Sequence, residues 1–257
     1  MSPESADQTA RERARNFERR FEGRLNYGYQ GIPIFAAPGL HELAAERLSA
    51  VLPDAHAQVL ELGAGAGALS QRLADLGMQV CASDLFDANF TPRDRIDFVA
   101  LDLNQSFAEQ LNSRFDAIVA LELIEHLENP RHFFRQCRQL LGENGYLVVS
   151  TPNLANPVSQ AVFLREGVFQ WFRENDYREQ GHIMPLAPQV LRRCWDEAGF
   201  LCTWEGSVSD PYRLLHRRRN RGTRLLARVL SKLSKTAPSL QGEVYVAVLQ
   251  VRPDANR

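Results

Sequence analysis

Residues 59–70 read VLELGAGAGALS, an apolar run broken by glycines at 63, 65 and 67 and resumed as a helical pattern. Alternating glycines between a strand and a helix leave few folds open. They supply positive φ for a tight turn, let the backbone approach a ligand, and lead into a helix whose first N–H groups are free. Such a loop belongs to a chain that alternates strands with helices, and the neighbouring sequence keeps that rhythm. QVLEL (58–62), QVCAS (79–83), IDFVAL (96–101), FDAIVAL (115–121) and GYLVVST (145–151) read as strands. Leu69, Leu73 and Leu76 share one helix face, stopped by Gly77. Asn129 and Pro130 open another helix as cap and first residue, with Phe133, Phe134, Cys137, Leu140 and Leu141 as its buried face. Gly142 and Gly145 bracket the turn into the fifth strand. The pattern predicts an α/β fold: a mostly parallel, Rossmann-like sheet with helices on both faces.

Of 257 residues, 44% are hydrophobic and 24% charged, enough for one large core. That excludes a disordered chain, a collagen-like repeat and a membrane bundle. The formal net charge of -1 excludes a general polyanion binder but not a local basic patch. Cys81, Cys137, Cys194 and Cys202 have neither zinc-site nor disulfide-framework spacing, and reduced thiols are expected. The first twenty residues contain no apolar signal segment, and no apolar run approaches the ~18 residues of a spanning helix. A cytoplasmic protein is expected, with peripheral contact to the inner membrane left open.

The residues around the glycines carry chemical information. Glu61, two positions before Gly63, would repel a pyrophosphate but suits a cationic sulfonium ligand bearing an amino group. Asp84 ends the second strand, where an acid can accept ribose hydroxyls. Asp102 ends the third, either as a ligand contact or as a turn-capping aspartate. Glu122, Glu125 and His126 follow the fourth strand, at the sheet edge that faces the ligand crevice. Such a cluster can ligate a divalent cation, or His126 can act as a general base, or the histidine can simply pack beside the ligand.

Together ELGAGAG (61–67), SDLFD (83–87), ALDLN (100–104) and ALELIEHLENP (120–130) resemble, in order and spacing, the class I S-adenosylmethionine-dependent methyltransferases. The resemblance covers about residues 45–205. It implies a seven-stranded sheet in the order 3-2-1-4-5-7-6 with an antiparallel last strand. It implies a cofactor site in which Glu61, Gly63, Ala64 and Gly65 receive the methionine end, with Gly67 also among the cofactor-binding residues. Asp84 would hold the ribose with Leu85 beside the adenine, Asp102 and Leu103 would meet the adenine edge, and Leu121 and Glu122 would lie beneath. The E-x-x-E-H run recurs in ubiquinone-biosynthesis O-methyltransferases and in HEN-type small-RNA 2′-O-methyltransferases. By that resemblance Glu122, Glu125, His126 and a later histidine, best matched by His182 in EQGHIMPL, would hold Mg²⁺ or another divalent cation. Glu122, His126 and His182 would then be the catalytic set.

Outside this frame, residues 1–40 form an N-terminal extension, with an amphipathic helix or arm over about 1–25 that carries Phe17 and Phe21. The methyltransferase domain is expected over 41–257, opening on a helix at about 38–52. Tyr27 and Tyr29 either close over the cofactor or pack normally. Loop chemistry and aromatic residues mark a lid over about 152–187, resembling methyltransferases encoded with bacterial surface-glycan or lipid biosynthesis. There Phe163, Phe169, Trp171 and Phe172 either cover an acceptor or form the core of a cap. A helix at 188–198 and strands at 200–208 and 242–251 complete the sheet around a basic insertion at about 212–236. Its segment 213–235 holds Arg213, Arg217, Arg218, Arg219, Arg221, Arg224, Arg228, Lys232 and Lys235 with no acid. It reads as a surface for an anionic membrane, a guide for RNA, a clamp on a phosphorylated glycan, or a solvated helix face. The expected activity is O-methylation of a small-molecule, glycan or lipid-linked hydroxyl. RNA 2′-O-methylation and a non-catalytic cofactor-binding module are the alternatives.

Overall fold

A computed structural model describes residues 27–52, 54, 56–215 and 220–253. The expected N-terminal helix over 1–25, and Arg217, Arg218 and Arg219 of the basic insertion, lie outside the described residues. The strands are β1 (Gln58–Leu62), β2 (Gln79–Asp84), β3 (Asp97–Ala100), β4 (Phe115–Ala120), β5 (Leu141–Pro152), β6 (Phe200–Val208) and β7 (Val244–Val251). They form one seven-stranded sheet in the order β3-β2-β1-β4-β5-β7-β6, as the resemblance implied. The first five are parallel, and β7 runs antiparallel to both β5 and β6. A two-residue-per-strand hairpin, Gly28–Tyr29 with Ile32–Pro33, stands apart from it.

The helices are α1 (Leu40–Val51), α2 (Ala68–Asp75), α3 (Pro130–Leu140), α4 (Pro157–Glu166), α5 (Glu174–Gln180), α6 (Pro188–Glu197) and α7 (Arg221–Leu233). One face of the sheet is closed by α3 and α6, around Phe133, Phe134, Trp195 and Phe200. The other is closed by α1 and α2, where Leu40, Leu48, Leu69 and Leu73 meet Val59, Val119 and Val148. Fully buried aliphatic and aromatic side chains of this size each contribute about 1.5–3 kcal/mol. Two such faces explain why the β1 and β4 runs are apolar throughout rather than alternating.

Asn129 caps α3 as expected, accepting from the His132 N–H at 3.0 Å, with Pro130 next. One boundary differs. Strand β5 starts at Leu141, paired with Phe115, and then shifts register so that Ala117 meets Tyr146. The expected turn is folded into the strand as this irregularity. Gly145 makes it possible, because a Cβ there would sit 2.9 Å from the Leu141 Cβ.

Register sets the site. Leu62 lies level with Ser83 on one side and Ala120 on the other, and Asp84 is level with Ala100. The C-terminal ends of β1 to β4 therefore deliver Glu61, Asp84, Asp102 and Glu122 to one edge of the sheet.

Candidate active site

The glycine loop is built around Asp84. Its Oδ2 accepts from the Gly65 N–H at 2.8 Å and its Oδ1 from the Leu85 N–H at 2.7 Å. The Ser83 carbonyl accepts from the N–H groups of Gly63 and Ala64 at 2.8 and 3.0 Å. These bonds hold the loop open, with φ of +77° at Gly63 and +53° at Gly65. A Cβ on Gly65 would meet only Phe35, at 3.7 Å, whereas one on Gly63 would press on Leu123 at 3.0 Å. Gly67 is different in kind. A Cβ there would overlap Pro92 at 2.6 Å and Phe90 at 2.7 Å, so close packing alone requires a glycine. Ala64 and Leu103 are buried, Leu85 and Asp102 exposed, and Leu121 half-buried. Asp102 Oδ1 accepts from the Asn104 N–H at 3.0 Å, so the turn-capping reading describes one of its contacts.

Three buried or half-buried acids face this loop. Glu61 accepts a short hydrogen bond from the Ser70 hydroxyl. Burial pushes its carboxyl up to about 8, the Ser70 hydroxyl pulls it back, and Asp84 raises it. Burial also raises Asp84, against the two N–H groups it accepts from. Burial pushes Glu122 up to about 7, with the Ala37 N–H lowering it, Glu243 raising it and Arg213 lowering it. A group of carboxyls that are costly to ionise suits a cation, which stabilises their charged forms. The open glycine backbone and these acids fit a sulfonium ligand.

The N-terminal hairpin roofs the loop. Ile32 and Ile34 pack on Ala66 and Ala68, with Phe35 beside them, and the Ala37 N–H donates to Glu122 Oε2 at 3.0 Å. Tyr27 and Tyr29 pack in the same cluster, with their hydroxyls turned to the helices. The Tyr27 hydroxyl accepts from the Gly39 N–H at 2.9 Å, and the Tyr29 hydroxyl donates to Asp75 at 3.0 Å beneath the Arg72 guanidinium.

After β4 the chain enters a short turn, Ile124–His126, that aims Glu125 and His126 inward. Glu125, His126 and His182 each bring a ligand atom within 4.8 Å of the others. The His126 and His182 rings meet edge to face at 4.8 Å. His126 Nδ1 lies 3.2 Å from the Gly181 carbonyl and His182 Nδ1 2.7 Å from that of Trp171. A carbonyl can only accept, so both Nδ1 atoms carry the proton, and in the neutral rings Nε2 is the atom with a lone pair to offer. Burial, then the neighbouring His182, lowers His126 to about 4, and burial lowers His182. Both rings are thus neutral near pH 7. Glu125 is 0% exposed, and neither carboxylate oxygen has a hydrogen-bond partner. Burial, then Glu122, raises it well above the usual range, while the nearby Thr151 hydroxyl lowers it slightly without reaching hydrogen-bond geometry. An orphaned buried carboxylate beside two oriented, neutral imidazoles fits a metal ion.

Glu122 stands outside this group. It sits at φ 47°, its N–H held by Ser150 Oγ at 2.9 Å and its carboxylate by Ala37. Of the four expected ligands the fold brings three together, and the left-handed turn directs the fourth toward the hairpin. The aromatic residues between β5 and α5 also divide. Phe172 packs on His182 at 5.6 Å, whereas Phe163 stacks on Phe169 at 4.5 Å and is 44% exposed. Trp171 Nε1 donates to Glu243 Oε1 at 3.1 Å. Glu243, fully buried, also pairs with Arg213 and accepts from Ser209 Oγ at 3.0 Å. This group borders Glu122 and was not anticipated, although an acid opening the apolar run GEVYVAVLQV was its visible signal.

Known proteins resemble this chain in sequence and fold. A family model described as a methyltransferase domain matches residues 35–203. The chain belongs to the class I S-adenosylmethionine-dependent methyltransferases. A ubiquinone biosynthesis O-methyltransferase from Cereibacter sphaeroides is 32% identical over 189 residues, covering 66% of this chain and 76% of the relative. One from a Ruegeria species is 30% identical over 175 residues, covering 62% and 70%. In a further strain of Cereibacter sphaeroides the match spans only 62% of the relative's length. A solved S-adenosylmethionine-dependent methyltransferase from Archaeoglobus fulgidus superposes with TM-score 0.54 at 18% identity, covering 82% of this chain and 94% of that one. The cyclase SpnF superposes with TM-score 0.59 at 16% identity, covering 93% of each chain. This methyltransferase therefore shares its fold with chains of other chemistry, and its site has to carry the argument for function.

Proposed function

We propose that this methyltransferase transfers a methyl group to a hydroxyl of a small-molecule, glycan or lipid-linked acceptor, with a divalent cation held by Glu125, His126 and His182. The observation that carries this reading is the convergence of those three ligand atoms within 4.8 Å of one another. The donor set refines the expected cation. Two imidazoles and one carboxylate favour a transition metal such as Mn²⁺ or Zn²⁺ over Mg²⁺, which prefers oxygen ligands.

S-adenosylmethionine supplies an electrophilic methyl group, so the enzyme mainly aligns an acceptor for in-line displacement. A divalent cation lowers the pKa of a hydroxyl bound to it. The chain supplies the remainder. Asp84 holds the Gly65 N–H and so fixes the loop that receives the cofactor. The Gly181 and Trp171 carbonyls orient the two imidazoles. Phe172 screens His182, while Phe35 and the Ala37 N–H close the hairpin side. His126, neutral at physiological pH, can alternatively take the hydroxyl proton at Nε2.

RNA 2′-O-methylation would use the same cluster. The test is transfer of radiolabelled methyl from S-adenosylmethionine into a fractionated extract of the source organism, with and without chelator. Label in lipid, glycan or small molecules that chelator suppresses and Mn²⁺ restores is expected. Nuclease-sensitive label in RNA would overturn the acceptor class. Chelator-resistant transfer would leave His126 as the base, and no S-adenosylhomocysteine with any fraction would leave a cofactor-binding module.

A further inference from the structure

Helix α7 offers solvent two parallel rows. Leu225, Val229 and Leu233 recur every fourth residue and are 67%, 45% and 75% exposed. Arg224, Arg228 and Lys232 recur at the same spacing one position earlier, so a cationic row runs beside the aliphatic one. The opposite side is satisfied: Ala227, Leu226 and Leu230 pack against Val158, Val162 and Leu215. The helix has no acid, and none of these three cations forms an ion pair among the described residues. The rows border an open groove of about 690 Å³, reached by Tyr212 and Ser231 as well as by the cations.

An occupant must answer both rows. Water answers the cations but not three large aliphatic side chains in register. Nucleic acid would meet the cations but gains little from Leu and Val, since single strands are gripped by aromatic stacking. A second copy of the chain would bring the same positive charge against itself. An anionic bilayer satisfies both rows, phosphates on the cations and the acyl boundary on the aliphatics.

We propose that α7 lies flat on an anionic membrane surface, with Arg224, Arg228 and Lys232 on lipid phosphates and Leu225, Val229 and Leu233 in the acyl boundary. This surface is independent of which hydroxyl is methylated. The inner side of α7 packs on α4, which therefore lies behind the docked rows.

The test is co-sedimentation of the full chain with vesicles of phosphatidylcholine alone and of phosphatidylcholine with phosphatidylglycerol. Binding to the anionic vesicles is expected, little to the neutral ones, with affinity falling as salt rises. Replacing both Arg228→Gln and Lys232→Gln should weaken binding by about twenty-five-fold, roughly five-fold per cation. The triple change Leu225→Ser, Val229→Ser, Leu233→Ser should weaken it at least ten-fold and leave its salt dependence in place. All five side chains are on the exposed rows, so S-adenosylmethionine affinity should be unchanged in both variants and reports that they fold. Equal binding to the two vesicle types, or unaltered binding by both variants, would overturn the proposal. So would tighter binding of single-stranded RNA than of anionic vesicles, or self-association that the serine variant abolishes.

Discussion

At the residue scale, the site is governed by what backbone groups do to side chains. Gly65 is held at φ +53° with its N–H on Asp84, facing space that only Phe35 approaches. Replacing Gly65→Arg puts a bulky side chain into that space at a backbone conformation costly for any L residue. Binding of S-adenosylhomocysteine, followed by calorimetry, should be lost while the fold persists. Glu61 makes a second prediction. Its folded-state carboxyl lies at about 8, against 4.5 unperturbed, chiefly through burial. Because the folded value is the higher one, the contribution to stability is complete below about 4.5 and is lost as pH rises through about 8. The slope is at most about 1.4 kcal/mol per pH unit. The stability of wild type relative to Glu61→Gln should therefore fall between pH 5 and pH 9, which denaturant titrations across that range would show; parallel profiles would remove Glu61 from the account. Glu122 shows where residue chemistry overrides spacing. The E-x-x-E run suggests two carboxylates on one ligand, but a left-handed φ at the first, held by Ser150, turns it to Ala37.

At the element scale, the segment that follows β5 is tied down by its first helix. Asn156 caps α4, its side chain accepting from the Ser159 N–H at 2.8 Å and donating to the Asn153 carbonyl at 2.6 Å. Replacing Asn156→Ala takes the cap from the buried Ser159 N–H and leaves the Asn153 carbonyl only the Asn156 backbone N–H, and should lower stability by about 1–2 kcal/mol. Thermal unfolding should register this, and hydrogen exchange should rise first in α4; unchanged exchange there would mean the helix is held by packing alone. The elements themselves were largely legible in the chain. Apolar runs of five to seven residues marked β1 to β5, and Asn129 followed by proline marked the start of α3, because those signals act locally. What stayed hidden depends on long-range contact. Trp171 and Gly181 orient the histidines through carbonyl oxygens, which every residue possesses. The Ala37 N–H on Glu122 spans 85 positions. Tyr27 and Tyr29 face α1 and α2 because Glu42, Asp75 and Arg72 present themselves there, a pairing no spacing along the chain announces.

At the scale of the whole molecule, ligand binding and folding are linked. A ligand that binds only the folded state at about one hundred times its Kd adds about 2.7 kcal/mol. For a chain of this size that raises Tm by roughly 5–10 °C. S-adenosylhomocysteine should produce such a shift in wild type and none in Gly65→Arg; an equal shift in both would place the cofactor elsewhere.

The order of the sheet has a further consequence, in time. Strand β7 lies between β5 and β6, yet it follows β6 along the chain, with residues 209–243 between them. On a ribosome moving at about 5–20 residues per second, β6 waits roughly two to seven seconds for its one lateral neighbour among the described residues. The flank of β5 stays open over the same interval. The central strand of this half is therefore the last to be made, and synthesis passes through a stage in which two apolar edges await one strand. A nascent chain that stalls between Val208 and Val244 presents those edges to its surroundings, a hazard for aggregation that the finished enzyme does not show.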